Sequence, residues 1–189
     1  MIDIWVQGHA QTWHNAAGLA SGHSDIALTE AGREQARSVR RCQYAHEPFD
    51  VVFTSDTQRA HETARLIFKG SSIPIIQDAR LRECDYGDLT GRSRSEVAVM
   101  RAAALYTPFP NGESYQQVAE RMHQFLAQLA AERDHQRVLL VGHLTTVWMC
   151  EHWIHDRSLD DVVGSAPAQP WRFALEPQTW PMRVRISRR

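Results

Sequence analysis

Arg137-Val138-Leu139-Leu140-Val141 (RVLLV) runs straight into Gly142-His143 and then into an apolar helical stretch that begins at Leu144. A short run of β-branched and aliphatic residues without polar alternation is the pattern of a strand covered on both faces, as in a parallel sheet. Ile2–Val6 (IDIWV) and Asp50–Thr54 (DVVFT) read the same way. Ile73–Gln77 is a weaker strand, which Pro74 opens or confines to an edge.

Helical patterns lie between these runs. Thr29 caps a segment from Glu30 to about Tyr44, with Leu28 placed as a hydrophobic staple. A second helix runs from about Thr57 to Phe68 and stops at Gly70. Ser93 with Glu96 makes a capping box ahead of Val97–Leu105. Ser114 with Gln117 makes another, ahead of a long amphipathic helix ending near Arg133 with Val118, Met122, Phe125 and Leu129 on one stripe. The tail offers two more strands, Trp171–Leu175 and Met182–Ile186, as antiparallel additions. Strand–helix alternation of this kind predicts an α/β fold, a three-layer α/β/α sandwich around a mainly parallel central sheet.

The 189 residues predict one domain spanning 1–189, long enough to bury a core without staples. Hydrophobic content of 43% and charged content of 23% exclude disorder and fibrous repeats, and a net charge of -1 leaves no positive field to hold nucleic acid or a membrane. Lys69 is the one lysine among 21 basic side chains, a skew that GC-rich coding would also produce. Cys42, Cys84 and Cys150 are widely spaced, with no CxxC pair, so neither a disulfide framework nor a cysteine zinc site is expected. Met1–Val6 lacks a basic n-region and a long apolar core, and no stretch is long enough to span a bilayer, so the expected location is the cytoplasm.

In open α/β sheets, ligands bind beyond the carboxyl ends of the strands. The first strand ends at Gln7-Gly8-His9, the DVVFT strand opens a helix carrying Arg59, and RVLLV ends at Gly142-His143. Three strand ends thus bring two histidines and an arginine to one edge, beside helix N-termini whose free N–H groups suit an anion. A lone histidine after a strand is ordinarily bland, and His46, His135, His152 and His155 are read as surface or packing residues. A histidine can also be a covalent nucleophile, and an imidazole attacking phosphorus beside an arginine and a second histidine is reasonable phosphoryl-transfer chemistry.

At these residues the sequence resembles the histidine phosphatase superfamily, which includes the phosphoglycerate mutases. Gly8-His9-Ala10-Gln11-Thr12-Trp13-His14-Asn15 is similar to the opening signature R-H-G-[EQ]-T-x-x-N. Gly22–Gly32 with Gln35-Ala36 resembles G-x-x-D-x-x-L-T-x-x-G…Q-A, and Ser55–Ala64 resembles S-x-x-x-R-A-x-x-T-A. Leu81–Gly91 matches L-x-E-x-x-x-G-x-x-x-G, and Asn111-Gly112-Glu113-Ser114 and Val141-Gly142-His143 complete the order. The resemblance covers residues 1 to about 155 and implies a phosphoglycerate mutase-like sandwich. It implies His9 as the nucleophile that becomes phosphohistidine, Arg59 and His143 as stabilisers of transition-state charge, and Glu83 as proton donor and later base for water. Asn15, Gln11, Thr12 and His14 would bind phosphate or substrate. No cofactor and no metal is implied, and the partner is a small phosphorylated substrate. Oligomeric state is left open. Gly87, Gly91 and Gly112 are read as turn residues, and Ser55 as a helix cap.

The arginine that should precede the nucleophile is Gly8 here, and the next glycine is Ala10. Losing a preorganised transition-state donor costs roughly 10²–10³ in rate. His14, Gln11, Arg92 or Arg94 could supply the missing contact; otherwise the chain is a weak or inactive member that binds a phosphorylated ligand or partner. A phosphomutase is less expected at this length, and so is a metal-dependent hydrolase with His9, His143 and Glu83 or Asp85 as ligands, for want of an HExxH or similar cluster. Residues 91–112 are the candidate lid or specificity segment, with Tyr106, Pro108, Phe109 and Pro110 in its loop as the ligand-facing part.

Overall fold

The computed structural model describes residues 1–44 and 47–180. Its strands are β1 (Ile2–Gly8), β2 (Val51–Thr54), β3 (Ile75–Gln77), β4 (Arg137–Gly142) and β5 (Trp171–Leu175), in the sheet order β3-β2-β4-β1-β5. The pairings β3–β2, β2–β4 and β4–β1 are parallel, and β5 is an antiparallel edge. The helices are α1 (Trp13–Ala16), α2 (Glu30–Cys42), α3 (Gln58–Ile67), α4 (Arg94–Met100), α5 (Tyr115–Glu132), α6 (Leu144–Ile154) and α7 (Leu159–Val162).

Side-chain alternation along the strands creates the layers. Ile2, Ile4 and Val6 of β1, Val138 and Leu140 of β4, and Val51 and Phe53 of β2 join one core with α4, α5, α6 and α7. Leu139, Val141 and Val52 point the other way and pack, with Trp5 at the margin, under α2 and α3. β2 and β4, buried on both faces, therefore need apolar residues at nearly every position, which is why RVLLV carries no alternation. Leu140 is fully buried, so Leu140→Ala costs about 2–5 kcal/mol.

The caps read from the sequence form as expected at three helices. Thr29 Oγ1 accepts from the Gly32 N–H, and both boxes, Ser93 with Glu96 and Ser114 with Gln117, close reciprocally. The helix expected over Val97–Leu105 is instead α4, starting and ending earlier. The Arg101 N–H bonds the Ala98 carbonyl three residues back, a tightening that ends the helix, and a separate 3-10 turn at Ala103–Leu105 buries Ala104 and Leu105. Ser55 is not the cap of α3. Thr57 holds that position without a side-chain bond, and the carboxylate of Asp25 accepts from the Gln58 N–H at 2.7 Å in its place. Gly112 owes its identity less to a turn than to close approach: a Cβ there would overlap the backbone of Asp85 and Gly87. Met182–Ile186 and His46 lie outside the described residues. No helix among the described residues is long and apolar enough to cross a membrane.

Candidate active site

Parallel pairing of β1, β4 and β2 puts their carboxyl ends side by side, with Gly8 opposite Gly142 and Thr54 opposite Val141. The chain stays in register just past these ends: the His9 N–H donates to the Gly142 carbonyl at 2.9 Å, and the Ser55 N–H to the Val141 carbonyl at 3.0 Å. His9 and His143 consequently face each other with ring centroids 5.2 Å apart. A cavity of about 290 Å³ opens here, and His9, Asn15, Arg59, Glu83, Arg94, Arg101, His143 and Trp148 contribute to its lining.

Nδ1 of His9 lies 2.8 Å from the Ala10 carbonyl oxygen. A carbonyl only accepts, so Nδ1 carries the proton and Nε2 presents its lone pair. Burial, then the Arg59 charge, hold the imidazole down to a pKa of about 4, against the bond to Ala10 and with a smaller push from Arg94. His9 is therefore neutral at pH 7, with a proton on Nδ1 and a free lone pair on Nε2. His143 is buried and is pushed well below its ordinary range, first by burial and then by Arg59 and His9. Neither of its ring nitrogens has a partner in the protein, an expensive state for a buried polar group unless a ligand completes it.

Arg59, fully buried on the first turn of α3, is held by two carbonyls: Nη1 donates to Ser24 and Nη2 to Gly22, each at 2.7 Å. Gly22 has φ +47°, and a Cβ there would meet Thr90 Oγ1 at 2.9 Å, so the loop that grips the guanidinium requires glycine. The Nε of Arg59 remains buried without a partner.

Glu83 leaves the chain in a loop fixed from behind. Arg121 of α5 donates through Nη1 to the carbonyls of Arg80 and Arg82 and through Nη2 to that of Glu83, and it pairs with the Glu113 carboxylate. His23 Nε2 donates to the Glu83 carbonyl at 2.9 Å. Glu83 Oε1 accepts from the Cys84 N–H at 2.8 Å, while its neighbour Arg82 turns away into a two-pronged pair with Asp56.

The structure thus brings His9, Asn15, Arg59, Glu83 and His143 together, but three other expected residues are engaged elsewhere. Thr12 and Asn15 cap α1 reciprocally, Thr12 Oγ1 accepting from the Asn15 N–H and Asn15 Oδ1 from the Thr12 N–H. Gln11 Oε1 accepts from the Thr29 hydroxyl, and His14 Nδ1 lies 3.4 Å from Ser21 Oγ. At Gly8 the space for a side chain is open: an added Cβ would meet only the Trp171 ring, at 3.8 Å. Of the cations weighed as a substitute for the missing arginine, Arg94 lines the cavity.

The 91–112 segment reaches the site through its helix rather than its loop. Phe109 is 2% exposed and packs between Tyr86 and Tyr115, and Tyr106 is exposed with its hydroxyl 3.3 Å from Asp160, so the expected ligand-facing loop is a core anchor and a surface contact. Arg94, Val97 and Arg101 line the cavity instead. Their i, i+3, i+7 spacing was the signal in the sequence, one helical stripe that is cationic at both ends. Arg121 and His23 were also missed, because their contacts to the Glu83 loop are to backbone carbonyls that no motif spells out. Among the described residues no group of three or more His, Cys, Asp or Glu is arranged to hold a metal ion.

The sequence profile of the histidine phosphatase superfamily (branch 1) matches residues 4–179. An adenosylcobalamin/alpha-ribazole phosphatase of Salmonella typhimurium is 31% identical over 185 residues, covering 94% of this chain and 87% of that protein. A protein of Cronobacter sakazakii named "Probable phosphoglycerate mutase GpmB" is 36% identical over 151 residues, covering 76% and 70%. Among solved structures, YhfR of Bacillus stearothermophilus superposes with a TM-score of 0.76 at 28% identity, covering 88% of this chain and 86% of that one.

Proposed function

The chain belongs to the histidine phosphatase superfamily, and on that premise we propose that it hydrolyses small phosphomonoesters through a phosphohistidine on His9. In the first step the Nε2 lone pair of His9 attacks phosphorus and the ester P–O bond breaks. Glu83, protonated, gives its proton to the departing alkoxide. In the second step Glu83 takes a proton from water, the resulting hydroxide attacks phosphorus, and the P–N bond breaks to release phosphate and restore His9. Arg59, His143 and Asn15 bind the equatorial oxygens, where charge accumulates. The segment 91–112, within a single 1–189 domain, sets specificity through the α4 stripe.

The observation that carries this reading is His143, whose two ring nitrogens are buried without partners beside His9 and Arg59. An oxyanion in the cavity would complete them. Hydrolysis is favoured over mutase chemistry because the match spans 87% of the phosphatase relative but 70% of the mutase-named one. The cytoplasm is the proposed location, in keeping with two buried cysteines that carry free thiols.

A panel of phosphomonoesters with wild type, His9→Ala and Gly8→Arg tests the reading. Wild type should yield an acid-labile phosphoenzyme and turnover that survives chelator, and His9→Ala should lose both. Because position 8 has open space, Gly8→Arg should raise kcat/KM, by about 10²–10³ where it supplies a full transition-state donor. The open space at Gly8 also favours a second reading, a member that binds a phosphorylated ligand without turning it over. Ligand binding with no turnover by any variant would establish that one.

A further inference from the structure

We propose that the cavity where β1, β5 and the end of α2 meet is a second ligand site, shaped for an uncharged aromatic heterocycle of one or two rings, such as a free nucleobase. The site stands apart from the catalytic cavity and from the reading of it given above.

Its volume of about 400 Å³ exceeds the 290 Å³ beside His9 and is that of a small-molecule site, and the two cavities share no lining residue. Trp5, Tyr44 and Trp171 give it an aromatic wall, and Gln7, Gln43 and Gln169 give it polar groups. No charged side chain lines it. The guanidinium groups of Arg137 and Arg172, 5.9 and 4.9 Å from the Trp5 ring, are both paired with the Asp3 carboxylate. An ion would lose hydration there and find no counter-charge, so a neutral molecule is selected. The indole N–H of Trp5 donates to Asp3 and that of Trp171 to the Pro167 carbonyl, which leaves a ligand the carbon surface of both rings. Tyr44 donates to Gln7 Oε1 and Gln7 Nε2 to the Gly8 carbonyl, each at 2.9 Å. These bonds orient the Gln7 amide and leave one of its N–H groups and one lone pair unused. The side-chain amides of Gln43 and Gln169 hydrogen-bond no group among the described residues. A primary amide sets a donor beside an acceptor, the pattern that pairs with the edge of a nucleobase, while aromatic side chains hold its face. A sugar matches the amides but has no π-face for the rings. Tyr44, pushed up to about 12 by burial, is the one titratable group in the lining, so the cavity binds and does no acid–base chemistry.

Adenine, uracil and glucose, titrated by calorimetry and by tryptophan emission, test the site. At least one of the two bases should bind wild type with a Kd of about 1 mM or tighter and change the emission, and glucose should do neither. Gln43→Ala combined with Gln169→Ala removes two amides that hold nothing in the protein, so the fold should survive and the base should bind about tenfold more weakly. Trp171→Leu, checked for folding by a thermal melt, should weaken it by a similar factor. His9→Ala, which lies outside the lining, should bind the base as wild type does. Binding of neither base, binding of glucose as tight as that of the base, or an affinity unchanged in the folded double variant overturns the site. Loss of the base in His9→Ala would move it to the catalytic cavity and overturn the site equally.

Discussion

A neutral imidazole is the reactive form of histidine, and two features keep His9 in that form: the Ala10 carbonyl that fixes its tautomer, and the burial and Arg59 charge that hold its pKa at about 4. The same shift has a consequence for stability. In the unfolded chain a histidine takes up its proton near pH 6.5, whereas folded His9 does so near 4 and His143 also well below 6.5. Unfolding therefore binds protons between those limits. The stability these two residues contribute is complete above pH 6.5 and is lost as the pH falls toward 4. Urea unfolding measured across this window should show a decline corresponding to the uptake of up to two protons, with His9→Gln lowering the uptake by about one. Equal uptake in the two proteins would show that His9 is not held neutral. That His9, Arg59, Glu83 and His143 converge on one cavity was legible at this scale because each follows a strand end or a motif of fixed spacing. Side-chain direction was not. Gln11 and Thr12 sit in the same signature as His9 and Asn15, yet their oxygens bond Thr29 and the Asn15 N–H, and spacing along a chain carries no information on rotamer.

Helices with caps and a stripe were legible, and one-turn elements were not. The boxes at Ser93 and Ser114 could be read directly because a hydroxyl and an acid or amide three residues on satisfy two orphan N–H groups. The turns at Trp13–Ala16 and Leu159–Val162 are too short to display a period. The long helix α5 does more than cover the sheet, since it delivers Arg121 to three carbonyl acceptors, those of Arg80, Arg82 and Glu83, at the Glu83 loop. Arg121→Ala should lower kcat by about 10–10²-fold with little change in KM, because the carboxyl group drifts from the leaving oxygen while the phosphate pocket stays whole. Arg121→Lys should recover only part of the loss, since a point charge cannot bridge carbonyls the way a guanidinium fork does. Steady-state kinetics with a thermal melt of each variant checks this. A loss carried in KM, or full rescue by lysine, would remove Arg121 from the positioning of Glu83.

At the scale of the whole molecule, the strands were legible and the pairing of the central ones was not. Pro74 marked one edge, and the tail strand at Trp171–Leu175 formed the other. The pairing of β1 with β4, Asp3 opposite Arg137, joins residues too far apart in sequence for any local pattern to announce it. That pairing nevertheless makes the site, because the groups around the cavity come from just past the ends of β1 and β4, from α1, α3, α4 and α6, and from the Glu83 loop, and they meet only when the sheet is assembled. An oxyanion that contacts all of them binds the folded chain alone, and such binding stabilises by RT ln(1 + [L]/Kd), about 2.7 kcal/mol at a hundredfold excess over Kd. For a chain of this size each kcal/mol raises Tm by roughly 2–4 °C. Vanadate or inorganic phosphate at that excess should therefore raise Tm by about 5–11 °C, with further gain growing as the logarithm of concentration. Chloride at matched ionic strength should not reproduce the shift, because nonspecific screening reaches no buried nitrogen. His143→Asn, which removes one of the two unpartnered ring nitrogens and shortens the reach of the other, should cut the vanadate shift while leaving the anion-free Tm within a few degrees. A melt that responds to chloride and vanadate alike would place the anion on the surface and empty the cavity of its assigned chemistry.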